Sequence, residues 1–486
     1  MAADELQKDI ARYIDERWDE VVSDMEALIA IESVENLDAA APNAPFGPGP
    51  RAALDEVLGV AERMGFSVCD CEGYIGYADM PGETDEQIGI IGHVDVVPAG
   101  PGWTFPPYRV TRKDGYLIGR GVSDDKGPVI VALHAARFWL DHMSASGERF
   151  PKSLRILFGA NEETNMKDVA YYRDHYADPS FLFTPDASFP VCYGEMGICS
   201  GTLTSAPVAG GAIESLEAGV AVNAVPGQAE ALLRATAQRR DADGASGQRK
   251  EAGAVLEGTD KVSVSYRGDS PLVHAQGRST HASTPELGEN AIDVLADYLL
   301  TNDVLAPDER TFFELVRKVT SCPDGSGLGV AARDEHFGTL TAVGGMLWLD
   351  SGTIKLSVDF RYPTTMSASA IEQKVNEVAS RFGASFEMEH DKEPFLMDPD
   401  MPAVKAMLAA YEAATGEHVE PFTMKGGTYA RMFETGVSFG PDRPWEEKPA
   451  WVGGMHGPDE GISEELLKES FAIYVRTIGS LLGGKL

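Results

Sequence analysis

Apolar residues recur every three or four positions over residues 4 to 31, which is the spacing of one buried face of an α-helix. The positions that carry this face are Leu6, Ile10, Tyr13, Ile14, Trp18, Val21, Met25 and Ile29. A stretch rich in proline and glycine at 41–50 interrupts the pattern and predicts an irregular loop. A second helix is predicted from about residue 51 to 64.

Apolar runs then alternate with helical patterns. The sequence predicts strands at 88–97, 153–160 and 179–186, with helices at 127–140 and 167–176 between them. This alternation favours an α/β fold with a mainly parallel sheet and helices on its faces. In such sheets, binding sites gather at the carboxyl ends of the strands.

The pattern changes in the middle third of the chain, where strands dominate over parallel crossover units. A hairpin is predicted over 337–362, with its turn at 350–352, and a polar stretch without periodicity at 237–253 predicts an exposed loop. We interpret this region as an α+β lid domain inserted into a catalytic domain. The predicted domains are 1–191 (catalytic, first part), 192–395 (inserted lid) and 396–486 (catalytic, second part).

Composition narrows the possible partners and location. A net charge of -35 would repel phosphate backbones and anionic lipid, so neither nucleic acid nor a membrane is expected as a partner. The 5 cysteines are odd in number and lack CxxC spacing, which favours free thiols in a reducing compartment. The first ten residues are acidic and amphipathic, unlike a signal peptide, and we found no apolar run that would span a bilayer. The sequence therefore predicts a cytoplasmic protein.

Residues with metal-binding chemistry follow the first predicted strand. His93 and Asp95 are two positions apart, so both side chains are expected on one face, where Asp95 can orient the imidazole while its other nitrogen binds a metal. A lone histidine is more often a hydrogen-bonded core residue. The metal hypothesis for His93 therefore depends on its neighbours.

A glycine-framed loop at 119–127 places Asp124 and Asp125 directly before a helix. Either carboxylate could cap that helix, which is the common role of aspartate at this position. At a junction between strand and helix, one carboxylate can also cap while the other faces a site.

Further carboxylates follow the next two strands, namely Glu162 with Glu163, and then Asp186. Adjacent carboxylates repel each other unless a cation or a shared proton reduces the repulsion. Two adjacent acidic residues by themselves more often belong to a solvated surface loop. Acidic and imidazole clusters at successive strand ends favour a metal centre. Ligation by His, Asp and Glu without cysteine suits zinc, manganese or cobalt.

Several segments resemble one known family, the dizinc peptidases that include carboxypeptidase G, acetylornithine deacetylase and aminoacylase. The segments similar to the family are GHVDVVP, GRGVSDDKGP, NEETNMKDVAYY and FTPDASFP. The last two are most similar to its PepV-type (Sapep-like) dipeptidases, as are HASTPELGENAI, VNAVPGQAEA, VDFRYP and GGTYAR. The resemblance covers nearly the whole chain, from about residue 15 onwards.

The resemblance implies a centre with two divalent metal ions, expected to be zinc, with manganese or cobalt as alternatives. Asp124 is expected to bridge the two ions. One ion would add His93 and Asp186, and the other would add Glu163 and His456.

The resemblance also implies the catalytic base and the last ligand. Glu162 is expected to take a proton from water and pass it to the leaving amine. His456 is preferred as the C-terminal ligand because glycine-rich sequence precedes it and an acidic pair follows it. His418 is the alternative.

Substrate-binding residues are implied in the same way. His281 matches a lid histidine that stabilises the oxyanion. Asn223, Arg361, Thr428 and Arg431 match positions that hold the substrate's backbone and carboxylate, for which the planar fork of arginine is suited. The enlarged lid resembles relatives that supply their histidine within one chain, which implies a monomer.

The predicted activity is hydrolysis of dipeptides or short peptides. An alternative on the same fold is an N-acyl-amino-acid amidohydrolase, such as a deacylase or desuccinylase. The two differ in the pocket, because a dipeptidase needs an anionic group that binds the free α-amine of its substrate. An alternative of another class is a non-catalytic relative that binds metal or peptide. The intact carboxylates at 124, 162 and 163 and both histidines count against it.

Overall fold

The structure is a computed structural model that describes residues 3–208, 210–235 and 256–484. The polar stretch at 237–253, predicted as an exposed loop, lies outside the described residues. The chain divides into two units. The first unit comprises Met1–Gly194, Leu396–Thr423 and Gly427–Leu486, and the second comprises Glu195–Phe395 and Met424–Gly426.

The described helices and strands are numbered in chain order. The helices are α1 (Ala3–Ile29), α2 (Pro48–Arg63), α3 (Lys126–Ser146), α4 (Lys167–His175), α5 (Ala291–Thr301), α6 (Pro307–Thr320), α7 (Ala368–Ala379), α8 (Pro402–Thr415) and α9 (Glu464–Gly483). The first strands are β1 (Ser67–Cys71), β2 (Ile75–Met80), β3 (Gln87–His93), β4 (Thr111–Lys113), β5 (Tyr116–Ile118), β6 (Ser153–Gly159), β7 (Phe181–Thr184), β8 (Cys192–Glu195), β9 (Gly197–Thr204), β10 (Ile213–Ala218), β11 (Ala224–Val225) and β12 (Gln228–Leu233). The remaining strands are β13 (Val262–Arg267), β14 (Ser270–Gln276), β15 (Thr280–His281), β16 (Arg333–Asp334), β17 (Gly338–Thr339), β18 (Thr341–Asp350), β19 (Thr353–Tyr362), β20 (Ser385–Lys392), β21 (Phe395–Leu396), β22 (Phe422–Met424), β23 (Gly436–Ser438) and β24 (Gly461–Ser463).

The first unit is built around a sheet whose centre is parallel. Strands β6, β3, β7 and β23 are neighbours in that order and run parallel, while β2 and β1 continue the sheet antiparallel beyond β6. Ile88 and Ile90 of β3 contribute to a large core with α1, α2, α3 and α9, whereas Ile91 contributes to a smaller core with α4. Both faces of the central strands are thus covered, as their continuous apolar runs require. The predicted α/β class with flanking helices is confirmed.

Element boundaries differ from the predictions at several places. Strand β3 ends at His93 because the chain then leaves the sheet, and the N–H of Val96 donates to the carbonyl of Ser33 at 3.2 Å. Helix α2 begins at Pro48, inside the predicted loop, with proline in its first turn. The strands β1 and β2 were not predicted. Only Cys71 of β1 is buried, so no apolar run marks this strand.

The second unit contains an antiparallel sheet in the order β13-β14-β12-β10-β18-β19-β9-β20. Helices α5, α6 and α7 share its hydrophobic core, which makes this unit α+β. Strands β18 and β19 form the predicted hairpin. Its turn residues Ser351 and Gly352 have φ values of 50° and 80°, as a two-residue type I′ turn requires.

Among the described residues, no helix has both the length and the apolar character needed to cross a bilayer.

Candidate metal centre

The carboxyl ends of β6, β3 and β7 lie side by side because these parallel strands are neighbours. His93 is the last residue of β3, Glu162 and Glu163 follow β6, and Asp186 follows β7. Ligand atoms of His93, Glu162 and Asp186 lie within 4.8 Å of one another, and so do those of His93, Asp124 and Glu163. Side chains from three strand ends and the start of α3 therefore converge.

The carboxylate of Asp124 lies between two imidazoles. Its Oδ1 is 3.0 Å from Nε2 of His93, and its Oδ2 is 2.9 Å from Nε2 of His456. The same Nε2 of His456 is 3.1 Å from Oε2 of Glu163, and Nε2 of His93 is 3.7 Å from Oδ2 of Asp186. The structure thus brings the five sequence-predicted ligands into one cluster.

His418, the alternative C-terminal ligand, lies elsewhere. Its ring is exposed, with Nδ1 3.4 Å from Glu412 and Nε2 3.9 Å from Glu420. Its recorded partners are therefore outside the cluster, whereas those of His456 are the cluster carboxylates Asp124 and Glu163.

His93 is oriented mainly by the main chain of Asp95. The Nδ1 atom lies 3.0 Å from the carbonyl oxygen of Asp95 and 3.5 Å from its carboxylate. The carboxylate instead accepts hydrogen bonds from the N–H groups of Glu162 at 3.2 Å and Glu163 at 3.1 Å. With Nδ1–H donating to the carbonyl, Nε2 of His93 is available to a metal.

Asp125 precedes α3, but its side chain makes no hydrogen bond that caps the helix. Its Oδ2 accepts the N–H of His93 at 3.2 Å, and the Asp124–Asp125 peptide bond is cis. Gly92 permits this approach, because a Cβ there would lie 2.3 Å from Oδ2 of Asp125 and 2.3 Å from Cγ2 of Val129. Burial, followed by the charge of Asp186, raises the pKa of Asp125 well above its usual value.

Glu460 holds the loop that carries Asp124, and the sequence analysis did not identify it. Its buried Oε1 accepts hydrogen bonds from the N–H groups of Gly121 and Ser123, both at 3.0 Å, and of Asp124 at 3.2 Å. Its Oε2 accepts a hydrogen bond from Arg120 at 2.6 Å. Burial, and then the charge of Asp124, raise the pKa of Glu460 to about 7. The acidic pair after His456 was the only sequence signal for this role.

Asp168 supports the end of β6 and was also missed. Its Oδ2 accepts hydrogen bonds from the N–H groups of Ala160 at 2.7 Å and Asn161 at 2.9 Å, and from the hydroxyl of Tyr429. Burial, followed by the charge of Asp95, raises the pKa of Asp168 to about 6. Only its position shortly after the Glu162–Glu163 pair could have indicated this role.

The two imidazoles favour their protonated forms in this cluster. Burial disfavours the charge on His93, but hydrogen bonds to Asp124 and Asp95 outweigh burial and raise its pKa well above the usual value. Hydrogen bonds to Asp124 and Glu163 raise the pKa of His456 to about 11. The pKa of Asp124 is strongly lowered, because hydrogen bonds from both imidazoles outweigh its burial.

The other carboxylates of the cluster favour their neutral forms. Burial, followed by the charge of Asp124, raises the pKa of Asp186 to about 7 and also raises that of Glu163. Burial and then the charge of Asp186 raise the pKa of Glu162 well above its usual value. Burial and mutual repulsion are the two costs that a bound divalent cation offsets.

The donor set fits divalent cations. The ligand atoms that converge here, within the described part of the chain, are imidazole nitrogens and carboxylate oxygens, which suit zinc, manganese or cobalt. Oε1 of Glu163 is buried and has no hydrogen-bond partner among the described residues. A buried carboxylate oxygen in this state is suited to ligate a cation.

Two of the predicted substrate-binding residues lie close together in the second unit. Strand β11 pairs with β15, and the carbonyl of Asn223 accepts the N–H of Ala282 at 2.9 Å, which places Asn223 beside His281. The ring of His281 is exposed, and its Nδ1 is 2.7 Å from Oγ of Ser283.

The remaining predicted residues are divided between the units. Arg361, in the second unit, is buried and donates two hydrogen bonds to Asp359, at 2.8 and 3.1 Å. Thr428 and Arg431 lie in the first unit. The Thr428 hydroxyl accepts the N–H of Ala430 at 3.1 Å, which caps the short turn that includes Arg431.

Comparisons with known proteins identify the family. Residues 89–480 match the model of Peptidase family M20/M25/M40. The Beta-Ala-Xaa dipeptidase of Lactobacillus delbrueckii subsp. lactis is 30% identical over 473 residues, covering 95% of this chain and 96% of that protein. YtjP of Bacillus subtilis (strain 168) is 30% identical over 473 residues, covering 95% of this chain and 97% of that protein.

A solved structure supports the fold. Human carnosine dipeptidase 1 aligns with a TM-score of 0.59 over 97% of this chain and 98% of that chain, at 16% identity. With the match over most of the chain and the clustered ligand residues, the conclusion is that this chain belongs to peptidase family M20/M25/M40 and is a metallopeptidase.

Proposed function

We propose that the protein is a dipeptidase that uses two divalent metal ions, expected to be zinc, to hydrolyse dipeptides or short peptides. The observation that carries the proposal is the carboxylate of Asp124, whose two oxygens face the imidazoles of His93 and His456 separately. This is the arrangement expected of a carboxylate shared by two ions. Similarity to a Beta-Ala-Xaa dipeptidase over nearly the full length supports dipeptides as the substrate class.

The five clustered residues would hold the ions. Asp124 would be shared, His93 and Asp186 would complete one position, and Glu163 and His456 the other. Such a pair of ions supplies Lewis-acid polarisation of the scissile carbonyl and lowers the pKa of water. The unpartnered buried oxygen of Glu163 supports its assignment as a ligand.

Glu162 would act as the general base. Its carboxylate accepts no hydrogen bond from the described residues, which leaves its oxygens available for the proton of water. Its main-chain N–H donates to the carboxylate of Asp95, which positions the main chain that carries this side chain. Burial raises the pKa of Glu162, and a base of raised pKa can take a proton from water and deliver it to the leaving amine.

Substrate binding is assigned to the residues that the family resemblance indicates. Arg361 would bind the terminal carboxylate, and its hydrogen bonds to Asp359 hold the guanidinium in one orientation before binding. Asn223, Thr428 and Arg431 would hold the peptide, and His281 would stabilise the oxyanion.

The proposal extends to the branch of the family and the setting of the enzyme. We assign the chain to the PepV-type dipeptidases and expect a monomer, which sedimentation of the metal-loaded protein tests. All five cysteines are free thiols, which supports a cytoplasmic location.

Substitution of the base tests the mechanism. Glu162→Gln is expected to lower kcat by about 10²- to 10⁴-fold, the range typical of general acid–base catalysis, while metal content stays unchanged. Glu412→Gln, at an exposed position of α8, is the matched control and should keep wild-type kcat. Full turnover by Glu162→Gln with normal metal content would rule out this role.

A substrate panel tests the specificity. Chelator-stripped protein receives zinc, manganese or cobalt and is then offered β-alanyl dipeptides, Xaa-His dipeptides, tripeptides and N-acetyl amino acids. Dipeptides are expected to be the best substrates. Cleavage of acylated amino acids alone would instead identify an amidohydrolase.

A further inference from the structure

A cavity lies in the first unit, among residues that do not belong to the metal centre. It has a volume of about 440 Å³ and lies between α1, α3, α8 and α9. This volume falls within the range of about 300–1,000 Å³ found for small-ligand pockets. The cavity is therefore large enough for a small organic molecule.

The walls of the cavity are largely apolar. Leu6, Trp139, Met143 and Phe150 line it, and the rings of Trp139 and Phe150 meet edge to face at 5.1 Å. Trp139 belongs to the main core of the first unit, and the other three side chains pack against that core. Ala413, on α8, also lines the cavity and has a small side chain.

The charged groups of the cavity include two arginines without carboxylate partners. Neither Arg476 nor Arg149 forms an ion pair with any carboxylate of the described ranges, although the chain has 76 acidic residues. Arg476 donates to the amide oxygen of Gln7, and its buried Nε has no hydrogen-bond partner in the described part of the chain. Glu148 is the acidic residue in the lining.

The charged guanidinium of Arg476 is partly buried without an anion to offset the cost of burial. Burial lowers the pKa of the guanidinium, and no neighbouring charge among the described residues offsets this effect. Most other partly buried arginines of the first unit, such as Arg155 and Arg443, pair with a carboxylate. An anionic ligand would supply the missing partner of Arg476.

We propose that this cavity binds a small organic acid whose carboxylate pairs with Arg476 and whose apolar body packs against Trp139 and Phe150. The site is separate from the metal centre. Helix α3 begins beside Asp124, and Trp139 lies 13 residues further along it, about 20 Å away at the usual rise of an α-helix. Arg149, an exposed residue of the lining, adds positive charge, and the carboxylate of Glu148 is suited to accept a ligand ammonium group.

Binding is tested on the metal-loaded full-length protein with 3-phenylpropionate, its neutral amide and L-phenylalanine. Calorimetry gives the Kd, and quenching of tryptophan fluorescence reports contact with Trp139. The acid should bind at least about tenfold more tightly than the amide, because charge-assisted hydrogen bonds are stronger than neutral ones. Tighter binding of phenylalanine would identify an amino acid as the natural class, and tighter binding of phenylpropionate would identify a simple carboxylic acid.

Variants assign the binding to the cavity, because carboxylates can also bind a metal centre. Arg476→Gln should weaken binding by about tenfold or more, whereas Arg12→Gln, at an exposed position of α1, should not change it. Ala413→Phe fills the cavity without changing its charge and should abolish binding while turnover of the substrate remains. Identical binding curves for wild type, Arg476→Gln and Ala413→Phe would overturn the proposal, as would equal affinity for the acid and its amide.

Discussion

Replacement of Glu460 by glutamine tests whether the metal centre depends on a carboxylate that does not itself face the candidate metals. In the folded protein, one oxygen of Glu460 accepts three main-chain N–H groups of the loop that ends at Asp124, and the other accepts Arg120. Glutamine keeps the shape and one acceptor oxygen. It removes the negative charge and places an NH₂ group or a weaker acceptor opposite Arg120.

The expected cost follows from these contacts. Arg120 is 1% exposed, and loss of its charged partner leaves a buried guanidinium uncompensated, which typically costs about 3–5 kcal/mol. Retained hydrogen bonds from glutamine reduce this cost, so we expect a loss of about 2–3 kcal/mol in the free energy of unfolding. Because Asp124 is the shared ligand of the proposed centre, disorder in its loop should also weaken metal binding by about 10- to 100-fold.

The assay is competition for zinc between the protein and a fluorescent chelator, paired with denaturant unfolding of each variant. Glu464→Gln is the matched control, because it also removes an arginine–glutamate pair, but one whose arginine, Arg112, is exposed to solvent. Such a pair contributes about 0–1 kcal/mol, and the control should bind zinc normally. Wild-type zinc affinity in Glu460→Gln would refute the reasoning, even if the variant were less stable.

Three further predictions concern metal binding, pH and backbone space. Removal of metal by a chelator should lower the melting temperature, because a ligand at 1,000 times its Kd stabilises by about 4 kcal/mol; an unchanged melting temperature would contradict a metal site. Burial lowers the pKa of His134 in the folded protein below 6.5, the ordinary value that applies to the unfolded chain. The neutral imidazole therefore contributes its full share of the free energy of unfolding above pH 6.5, and this share is lost as the pH falls through the lowered pKa of the folded protein. His134→Gln should remove up to about 1.4 kcal/mol per pH unit of this slope in denaturant titrations, whereas His142→Gln on the same helix should keep it. Gly92→Ala should destabilise the fold by about 1–3 kcal/mol and weaken zinc binding, because the new methyl group overlaps Asp125, while Gly59→Ala in α2 should be neutral or stabilising by up to about 1 kcal/mol.

The central fold was predictable because its strands are buried on both faces. The continuous apolar runs of β3, β6 and β7 distinguish them from amphipathic segments, and helical periodicity identified α1 and α3. The hairpin of β18 and β19 was predictable from the turn residues at 350–352. In the structure, Ser351 and Gly352 have the positive φ that such a turn requires. Strand β1 was not predictable in this way. It lies at the sheet edge and buries only Cys71, and the main-chain hydrogen bonds that pair it with β2 leave little pattern in the sequence.

The candidate site was predictable to the extent that strand ends determine it. His93, Glu162 and Asp186 lie at one edge of the sheet because β3, β6 and β7 run parallel, and the alternating pattern indicates parallel strands. His456 lies in a loop far along the chain, and only the family resemblance placed it. The local sequence around His456 does not indicate that this residue lies beside His93, because the two are far apart along the chain.

The acidic residues around the centre show why sequence alone cannot assign their roles. Asp95 is two residues from His93 and would face the imidazole if the strand continued, but β3 ends at His93. The chain turns, the carbonyl of Asp95 takes the position beside the ring, and the carboxylate instead binds the N–H groups of Glu162 and Glu163. Glu460 makes the same kind of contact with the Asp124 loop. A buried carboxylate surrounded by imidazoles and other carboxylates is suited to bind a cation. A buried carboxylate beside unpaired main-chain N–H groups binds the main chain instead. The point at which the strand ends, rather than the residue type, determines which of these surroundings the carboxylate has.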